Sequence, residues 1–566
     1  MLVDTLASLL LVFGVALGLS RPLVARLRLT PAEGIVAGTA LSLILAWGVA
    51  FAVFWSGAPL AAYGTVPALG LLGLGLGLRG LRKAAADPGA RDLLLGQVLV
   101  TSWCIGWLCF VRTHSGGAWL GDWLEHWQRA QFFLRAWPAD KLFFDIYQVP
   151  ARPPLSNVLS AVYLRMTSSD YAHYQVFMAA FASLAYLPVG LLARRFGGPR
   201  AARFSCLFLM LNPLFMENAT YPWTKLHAAF FTLTGLYFFL RVRDQDAAPR
   251  TPGVLCALCL GGAVVTHYSA GPYVVVIALA WIGFGFRRGY GRGFLGATLL
   301  AALAGACVIA PWFAWSAGAY GWHTTLLANS TVSMLQKSPG NPVVVMALNL
   351  RDSLVPPQVR GFTGSLFRQS SPWGALRDQA FLVYQLNPLL ALGCVGWIAT
   401  LSEAYRAGRA ADRRERAFWC AWVAAVVMVA FATYGDRDHY GTGHICLQSL
   451  VLLGLAFLAS RWETLAPHWR RLVAIGLAVD FCAGIALQFA VESFALDRWL
   501  TPSRGLQEVS LTYGVVAQEN LSEKIIAHFS YFADIVPTPP ALVLALLGAI
   551  LCMALVRARQ APGESR

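Results

Sequence analysis

Apolar stretches of about 20 residues recur along this chain of 566 residues, and that is the length an α-helix needs to span the hydrocarbon core of a bilayer. Hydrophobic residues make up 57% of the sequence and charged residues only 13%. A soluble domain of this length does not need so many apolar stretches. We therefore expect an all-α polytopic integral membrane protein, a bundle of about 15 transmembrane helices.

The basic residues of the chain predict its orientation in the membrane. The formal net charge is +16, but the arginines and lysines lie in short loops between apolar stretches and form no stripe on a soluble domain, which argues against a nucleic-acid partner. Every second loop is basic, as the positive-inside rule predicts for cytoplasmic loops. The longest loops then face outside. The Arg- and Ala-rich composition suggests a bacterium, so we expect the cytoplasmic (inner) membrane, with the outside loops facing the periplasm.

The predicted spans divide the chain into successive regions. They are three N-terminal transmembrane helices (1–91), a seven-helix module (92–316) with an outside loop (113–170), a further outside loop (317–377), and C-terminal transmembrane helices (378–566) with an outside loop (491–537). The sequence contains no convincing pair of related halves. This argues against a typical secondary transporter, because many transporters bind their substrate between two such halves.

Charged residues crowd into one part of the first outside loop, where the sequence reads GDWLEHWQRAQFF. If 119–134 is a helix, four polar residues share one face at spacings i, i+3, i+4 and i+7. These residues are Asp122, Glu125, His126 and Arg129. Tryptophans occupy a second face, so the helix can lie at the membrane interface with its polar side toward water. Charges so close to hydrocarbon favour a functional site, and merely solvated charges are the alternative.

The same loop ends in the segment YQVPARPPL, which its prolines stiffen. Each proline restricts the residue before it to extended conformations. Arg152 precedes Pro153 and Pro154, so its guanidinium is held in place just before the next helix begins. A guanidinium held at a membrane surface suits the oxygens of a phosphate group. Snorkelling of Arg152 toward lipid headgroups is the alternative.

Two later outside turns could converge on this loop in the predicted topology. The first reads NPLFMENATYPWTK, in which Lys225 is a candidate second phosphate ligand and snorkelling is again the alternative. The second turn reads THYSAGPY. The candidate substrate-binding residues of the loop and the two turns are His126, Arg129, Asp145, Tyr147, Glu217, His267 and Tyr268.

These motifs resemble those of the GT-C glycosyltransferases, and especially the branch that contains protein O-mannosyltransferases and the aminoarabinose transferase of lipid A. The shared pattern is an acidic residue after an outward-going helix, an interfacial helix, and a basic residue before Pro-Pro-Leu. The resemblance covers about 92–316 and implies a GT-C-like bundle, with Asp122 as the catalytic aspartate and Arg152 near the lipid phosphate. Three features differ from many relatives: three spans precede the module, the acids Asp122 and Glu125 are not adjacent, and Lys225 stands where an acidic residue is common.

The resemblance implies an inverting glycosyltransferase that uses a polyprenyl-phosphate-linked sugar as its donor. An acceptor hydroxyl, on a lipid, a glycan or a protein, would attack the anomeric carbon while the lipid phosphate leaves. Asp122 would be the general base, and Glu125 would orient it or the sugar. Arg152 and Lys225 would neutralise the phosphate. Mg²⁺ or Mn²⁺ would suit hard oxygen ligands, but nothing in the sequence requires a divalent metal.

Two other classes of function stay open at this point. A lipid or polysaccharide transporter or flippase also needs many helices and phosphate-binding cations, and it predicts ionisable residues deep within the spans. Asp480 is the clearest residue of that kind. A noncatalytic assembly subunit predicts instead that Asp122 can be replaced without loss of function.

Overall fold

A computed structural model gives the structure of the protein. It describes residues 2–111, 122–143, 147–244, 250–287, 291–327, 341–356, 359, 383–385, 387, 413–433, 446–486, 489, 531–536 and 538–560. Over these ranges the protein is all-helical, which confirms the predicted class. Phe143 and Tyr147 form an isolated antiparallel β-bridge.

The α-helices of the first half of the chain are α1 (Leu2–Gly18), α2 (Arg21–Val24), α3 (Pro31–Trp55), α4 (Thr65–Leu76), α5 (Leu78–Ala86), α6 (Pro88–Leu108), α7 (Asp122–Arg135), α8 (Leu155–Met166), α9 (Tyr171–Ser183), α10 (Tyr186–Met210), α11 (Pro213–Thr220), α12 (Lys225–Asp244) and α13 (Arg250–Val264). Those of the second half are α14 (Gly271–Arg287), α15 (Arg292–Leu327), α16 (Pro342–Leu354), α17 (Arg413–Thr433), α18 (Gln448–Arg461), α19 (Pro467–Asp480), α20 (Phe532–Ile535) and α21 (Pro540–Arg559).

Side-chain caps explain where several helices begin. Helix α3 starts with a capping box, in which Thr30 Oγ1 accepts from the N–H of Glu33 while Glu33 Oε2 accepts from the N–H of Thr30. Asn212 Oδ1 accepts from the N–H of Phe215 at the start of α11. Proline occupies the first helical position in both cases, where its missing N–H costs nothing. Such caps satisfy backbone donors that have no partner within the helix.

Within the described ranges, five helical segments are long and apolar enough to cross a membrane. They are Pro31–Trp55, Tyr171–Met210, Tyr268–Phe286, Gly293–Leu327 and Pro540–Arg559. A sixth span is present if Leu60–Leu76 and Leu78–Ala86, which meet at 62°, are taken together. These helices support an integral membrane protein, whereas the larger number of about 15 spans stays a prediction.

The outside loop predicted at 317–377 is partly helical. Helix α15 runs on to Leu327, and α16 occupies Pro342–Leu354. Pro311 does not end α15, and the chain bends instead at Gly321, whose φ of 79° favours glycine. The apolar helix thus extends beyond residue 316, where the sequence placed the end of the seven-helix module, and the division of the chain into regions stays a prediction.

The helices that carry the polar residues pack tightly around one another. Helix α7 lies against α8, and α8 contacts both α3 and α9. Helices α12 and α13 pack side by side, and the backbone N–H of Leu155 donates to the carbonyl oxygen of Val265 at 2.9 Å. This bond joins the start of α8 to the end of α13. Polar residues from three separate stretches of the chain are thereby brought to one place.

Candidate active site

The first turn of helix α7 is held by the chain just before α12. The side chain of Trp223 donates from Nε1 to Asp122 Oδ2 at 3.0 Å. The backbone N–H of Trp123 donates to the hydroxyl oxygen of Tyr221 at 3.4 Å. The N–H groups of a first helical turn lack partners within their own helix. Tyr221 therefore satisfies one of these donors, while Trp223 binds the carboxylate itself.

Glu125 and Arg129 form a buried ion pair along α7. Arg129 Nε and Nη2 both lie 2.8 Å from Glu125 Oε1, and each side chain is 1% exposed. The spacing of four residues predicts this contact. The sequence predicts that the polar face of an interfacial helix points to water. In the structure this face is covered instead. Glu125, His126 and Arg129 are all buried, because α8 and the segment before it cover this face.

Arg129 also fastens helix α7 to the chain segment before α8. Its Nη1 donates to the carbonyl oxygen of Val149 at 2.7 Å, and its Nη2 donates to that of Gln148 at 3.1 Å. The guanidinium carbon lies 4.4 Å from the centre of the Phe143 ring, a distance typical of a cation–π contact. Arg129 is thus a structural bridge between two stretches of the site.

Arg152 lies between two carboxylates. Its Nη2 is 3.7 Å from Asp122 Oδ1 and 3.6 Å from Glu125 Oε2. These separations give electrostatic attraction but are too long for hydrogen bonds. The side chains of Arg152 and Asp122 are 18% and 22% exposed, whereas that of Glu125 is 1% exposed. Asp122 is therefore the carboxylate that an incoming molecule can reach.

The backbone around Arg152 agrees in part with the extended segment expected from its prolines. Arg152 itself is extended, with φ −136° and ψ 139°, as a residue before proline should be. Val149–Ala151 instead form a 3₁₀ turn. The ring of Pro150 fixes φ at a value that both extended and helical turns accept, so the proline pattern alone could not exclude the turn.

The electrostatic surroundings separate the two acids. Burial raises the pKa of the Asp122 carboxyl above its ordinary value, and the neighbouring Glu125 adds to this effect against the opposing influence of Arg152. Burial acts in the same direction on Glu125, but Arg152 and Arg129 outweigh it and hold the pKa of that carboxyl below its ordinary value. Glu125 is therefore held as an anion, whereas the pKa of Asp122 moves in the direction of a stronger base than an ordinary aspartate.

Burial also decides the charge of His126. It lowers the pKa of the imidazole to about 3, with the two arginines acting in the same direction and Glu125 opposing them. His126 is 2% exposed. It is therefore neutral around pH 7 and adds no cation to the site.

Both later turns converge on the loop, as the topology suggested. Lys225 Nζ lies 3.7 Å from the centre of the Trp223 ring, and the lysine is 5% exposed. The hydroxyl of Tyr268 donates to the carbonyl oxygen of Pro150 at 3.2 Å. His267 Nδ1 accepts from the backbone N–H of Ser269 at 3.0 Å. This nitrogen of the imidazole therefore stabilises the turn that contains His267.

The remaining candidate residues take different positions. Tyr147 exchanges two backbone hydrogen bonds with Phe143. Burial raises the pKa of its phenol, and the negative charge of Glu125 adds to this effect. Glu217 is buried and accepts from Gln385 Nε2 at 2.8 Å. Asp145 lies outside the described residues.

The acidic residues of the site bear on whether it could bind a divalent metal. No group of three or more His, Cys, Asp or Glu side chains that could hold a metal ion occurs there. The carboxylates of Asp122 and Glu125 both face Arg152, and a guanidinium next to two acids disfavours a second cation between them. The arrangement of the described residues therefore does not fit a divalent metal.

Trp223 is the residue of this site that the sequence motifs did not single out. The chain has 20 tryptophans, and most tryptophans in a membrane protein serve packing or the interface. Its place in a predicted outside turn, two positions before Lys225, was the available signal. Nothing in the sequence indicates that its N–H reaches a carboxylate 101 positions earlier.

No family model and no curated protein matches this chain. Several solved structures are similar to it. ArnT from Cupriavidus metallidurans bound to undecaprenyl phosphate is 17% identical, over 83% of this chain and 78% of that chain, with a TM-score of 0.49. The apo oligosaccharyltransferase from Archaeoglobus fulgidus is 16% identical, over 80% of this chain and 60% of that chain, with a TM-score of 0.45. The complex of the archaeal oligosaccharyltransferase AglB from the same organism with an inhibitory peptide and a dolichol-phosphate is 14% identical, over 79% and 60%, with a TM-score of 0.42.

ArnT and AglB are both GT-C glycosyltransferases, the group that the sequence motifs resemble. With TM-scores below 0.5 and identities of 14–17%, these similarities assign no activity to this chain.

Proposed function

We propose that this protein is an inverting glycosyltransferase that moves a sugar from a polyprenyl-phosphate-linked donor to an acceptor hydroxyl at the outer face of the bacterial cytoplasmic membrane. The observation that supports this most is the setting of Asp122. Its partly exposed carboxylate accepts the N–H of Trp223 and lies 3.7 Å from the guanidinium of Arg152. A reachable base next to a cation is the arrangement that such a transfer requires.

The transfer itself needs one base and one stabilised leaving group. The acceptor oxygen forms a bond to the anomeric carbon, and the bond from that carbon to the phosphate oxygen breaks with its electron pair going to the phosphate. The acceptor proton passes to Asp122, whose raised pKa makes it a stronger base than an ordinary aspartate. A phosphate leaves as a stable anion, so no separate acid is needed.

Arg152 and Lys225 are the proposed partners of the phosphate. Arg152 is partly exposed, and its Nη2 lies 3.6–3.7 Å from the two carboxylates. A guanidinium in this position can turn toward a phosphate oxygen while still neutralising the acids. Lys225 lies at the start of α12 with its amine against the Trp223 ring. Burial lowers the pKa of this amine to about 7, so it is partly charged near neutral pH, and a bound phosphate would favour its charged form.

Glu125 has a supporting role in this proposal. Its carboxylate is buried and paired with Arg129, so it does not reach a substrate. It keeps a negative charge next to Asp122, which raises the pKa of the base. Glu125 and Arg129 thus orient the groups that act. Tyr147, His267 and Tyr268 are proposed to line the substrate site around them, whereas His126 is buried like Glu125.

The experiment uses the purified full chain in liposomes with a panel of polyprenyl-phosphate sugars. Sugar transfer to added lipid, glycan or peptide hydroxyls is measured for the wild type, Asp122→Asn and Asp140→Asn. Asp140 is an exposed aspartate further along the same loop, so its variant carries the same chemical change away from the site. Turnover by the wild type and Asp140→Asn, but not by Asp122→Asn, supports the proposal. Equal turnover by all three removes Asp122 as the base.

A lipid transporter or flippase remains the second candidate function, and Asp480 is the observation that favours it. This acid is 6% exposed and accepts a hydrogen bond from the hydroxyl of Tyr384 at 3.0 Å. Buried acids of this kind are common along substrate pathways in transporters. The same liposomes distinguish the two functions: movement of a fluorescent polyprenyl phosphate between leaflets without sugar transfer would favour the transporter.

A further inference from the structure

Trp223 makes a contact with Asp122 that the proposed chemistry does not require but that would decide how the carboxylate is presented. The indole Nε1 lies 3.0 Å from Asp122 Oδ2, and an indole N–H can only donate. Trp223 is 1% exposed, so the donor has a fixed position. A carboxylate is otherwise free to rotate about its last bond, because that torsion is broad.

The two oxygens of Asp122 have different surroundings as a result. Oδ2 is bound to Trp223, whereas Oδ1 faces Arg152 at 3.7 Å, beyond hydrogen-bonding distance. Oδ1 is therefore the oxygen of Asp122 that the bond to Trp223 leaves for another partner. Rotation of the carboxylate would exchange the two oxygens and break the bond to Trp223.

The Trp223 ring is itself fixed on both sides. Lys225 Nζ lies 3.7 Å from its centre, and the centre of the Tyr221 ring is 4.3 Å away. An ammonium over an indole face is attracted by the ring and draws electron density from it. That makes the N–H a better donor to a carboxylate. Tyr221 also accepts the backbone N–H of Trp123, so the same turn holds both the side chain and the backbone at the start of α7.

We infer that Trp223 is a positioning residue that fixes Asp122 Oδ2, so that Oδ1 takes the proton of the acceptor hydroxyl. The inference rests on the proposed function for the proton transfer, but the hydrogen bond can be tested without turnover. Trp223 does not touch the reacting atoms in this scheme. Its loss should therefore lower kcat more than it changes the KM for the donor.

The turnover experiment compares Trp223→Phe with Trp103→Phe. Trp103 is also 1% exposed, and its Nε1 donates to the carbonyl oxygen of Met210 at 2.8 Å, so both variants lose one buried indole hydrogen bond. A misplaced catalytic group can cost about 100-fold, and we expect kcat to fall by about 10–100-fold in Trp223→Phe alone, with donor KM within about twofold. Equal kcat in the two variants would overturn the inference.

The second measurement follows the indole N–H resonances of the ¹⁵N-tryptophan-labelled full chain in detergent. The resonance that is missing from Trp223→Phe belongs to Trp223, and Lys225→Met, which removes the cation from the ring, identifies the same resonance if the first variant does not fold. Asp122→Asn should shift this resonance, because a neutral acceptor replaces a carboxylate. An unchanged resonance would overturn the inference. If no donor is turned over, the proposed function fails, and the resonance still decides whether Trp223 binds Asp122.

Discussion

Arg129 donates a hydrogen bond from Nη1 to the carbonyl oxygen of Val149, 2.7 Å away, and so joins helix α7 to the segment that carries Arg152. The same guanidinium pairs with Glu125 at 2.8 Å. One side chain thus sets the separation between the acids of α7 and the cation three residues beyond Val149. The geometry at Asp122 depends on a residue that is itself almost fully buried.

Replacing Arg129 should destabilise the protein strongly. Arg129→Gln leaves the Glu125 carboxylate buried without its partner, and removing one member of a buried ion pair costs about 3–5 kcal/mol. Arg135 is an exposed arginine at the end of the same helix that donates to Gln131, so Arg135→Gln should cost no more than about 0.5 kcal/mol. Thermal unfolding in detergent, followed by circular dichroism, measures both. Similar unfolding midpoints for the two variants would contradict the role of the buried pair.

Replacing Arg152 should weaken donor binding. Arg152→Ala removes a charged group proposed to hold the phosphate, and bonds to charged groups contribute about 1.5–3 kcal/mol, so we expect the apparent donor affinity to fall by about 10–100-fold. Arg165→Ala is the matched control, because Arg165 is exposed at the end of α8. Donor titration in liposomes measures the change. An Arg152 variant that binds the donor as tightly as the control would remove the phosphate assignment.

The rate of transfer should fall at low pH as Asp122 becomes protonated. Burial and Glu125 raise the pKa of this carboxyl above its ordinary value of 3.8, and a base acts only in its deprotonated form. Activity is therefore present above the raised pKa and is lost as pH falls through it. Arg152 lowers the pKa of Asp122, so its removal should raise that pKa. Any residual activity of Arg152→Ala should therefore begin to fall at a higher pH than that of the wild type.

His126 provides the control for this pH profile. Its pKa is held at about 3 by burial, so the imidazole stays neutral across the range in which the assay is run. In the pH–rate profile of His126→Gln, the rate should fall at the same acidic pH as in the wild type. A fall at a different pH would mean that the histidine, and not Asp122, controls the profile.

The hydrogen bonds between Gln385 and α11 should stabilise the protein without taking part in transfer. Gln385 Nε2 donates to Glu217 at 2.8 Å, and its Oε1 accepts from Asn218 Nδ2 at 3.0 Å. Gln385→Leu leaves these buried groups short of a partner, at a cost of about 1–3 kcal/mol. We expect a lower unfolding midpoint with kcat close to that of the wild type. A large loss of kcat at an unchanged midpoint would instead favour the predicted substrate role of Glu217.

The local part of the site could be predicted from the sequence. The spacing along α7 places Glu125 and Arg129 one turn apart, and they pair as that spacing requires. Pro153 predicts the extended backbone of Arg152, which the structure has. Both features depend only on residues that are close in the chain, where period and proline geometry are sufficient.

The burial of the polar face could not be predicted in the same way. A helix with a charged side and a tryptophan side suits a membrane interface, but Glu125 and His126 are covered by a segment whose position follows from Arg129 and from the bond between Leu155 and Val265. That covering is a tertiary arrangement. The periodicity of residues 119–134 holds no information about other segments. The sequence therefore indicated which residues are candidates for the site, but not that they are buried.

The bond between Trp223 and Asp122 also bears on how the protein is made. Its two ends are 101 positions apart, so a chain still emerging from the ribosome inserts the acid well before the indole exists. Until α12 follows α11 into place, the acids of α7 would stand beside Arg152 with no donor to hold Asp122. The site is therefore completed only once α12 has been inserted, because contacts between distant residues form only after the intervening chain has been ordered.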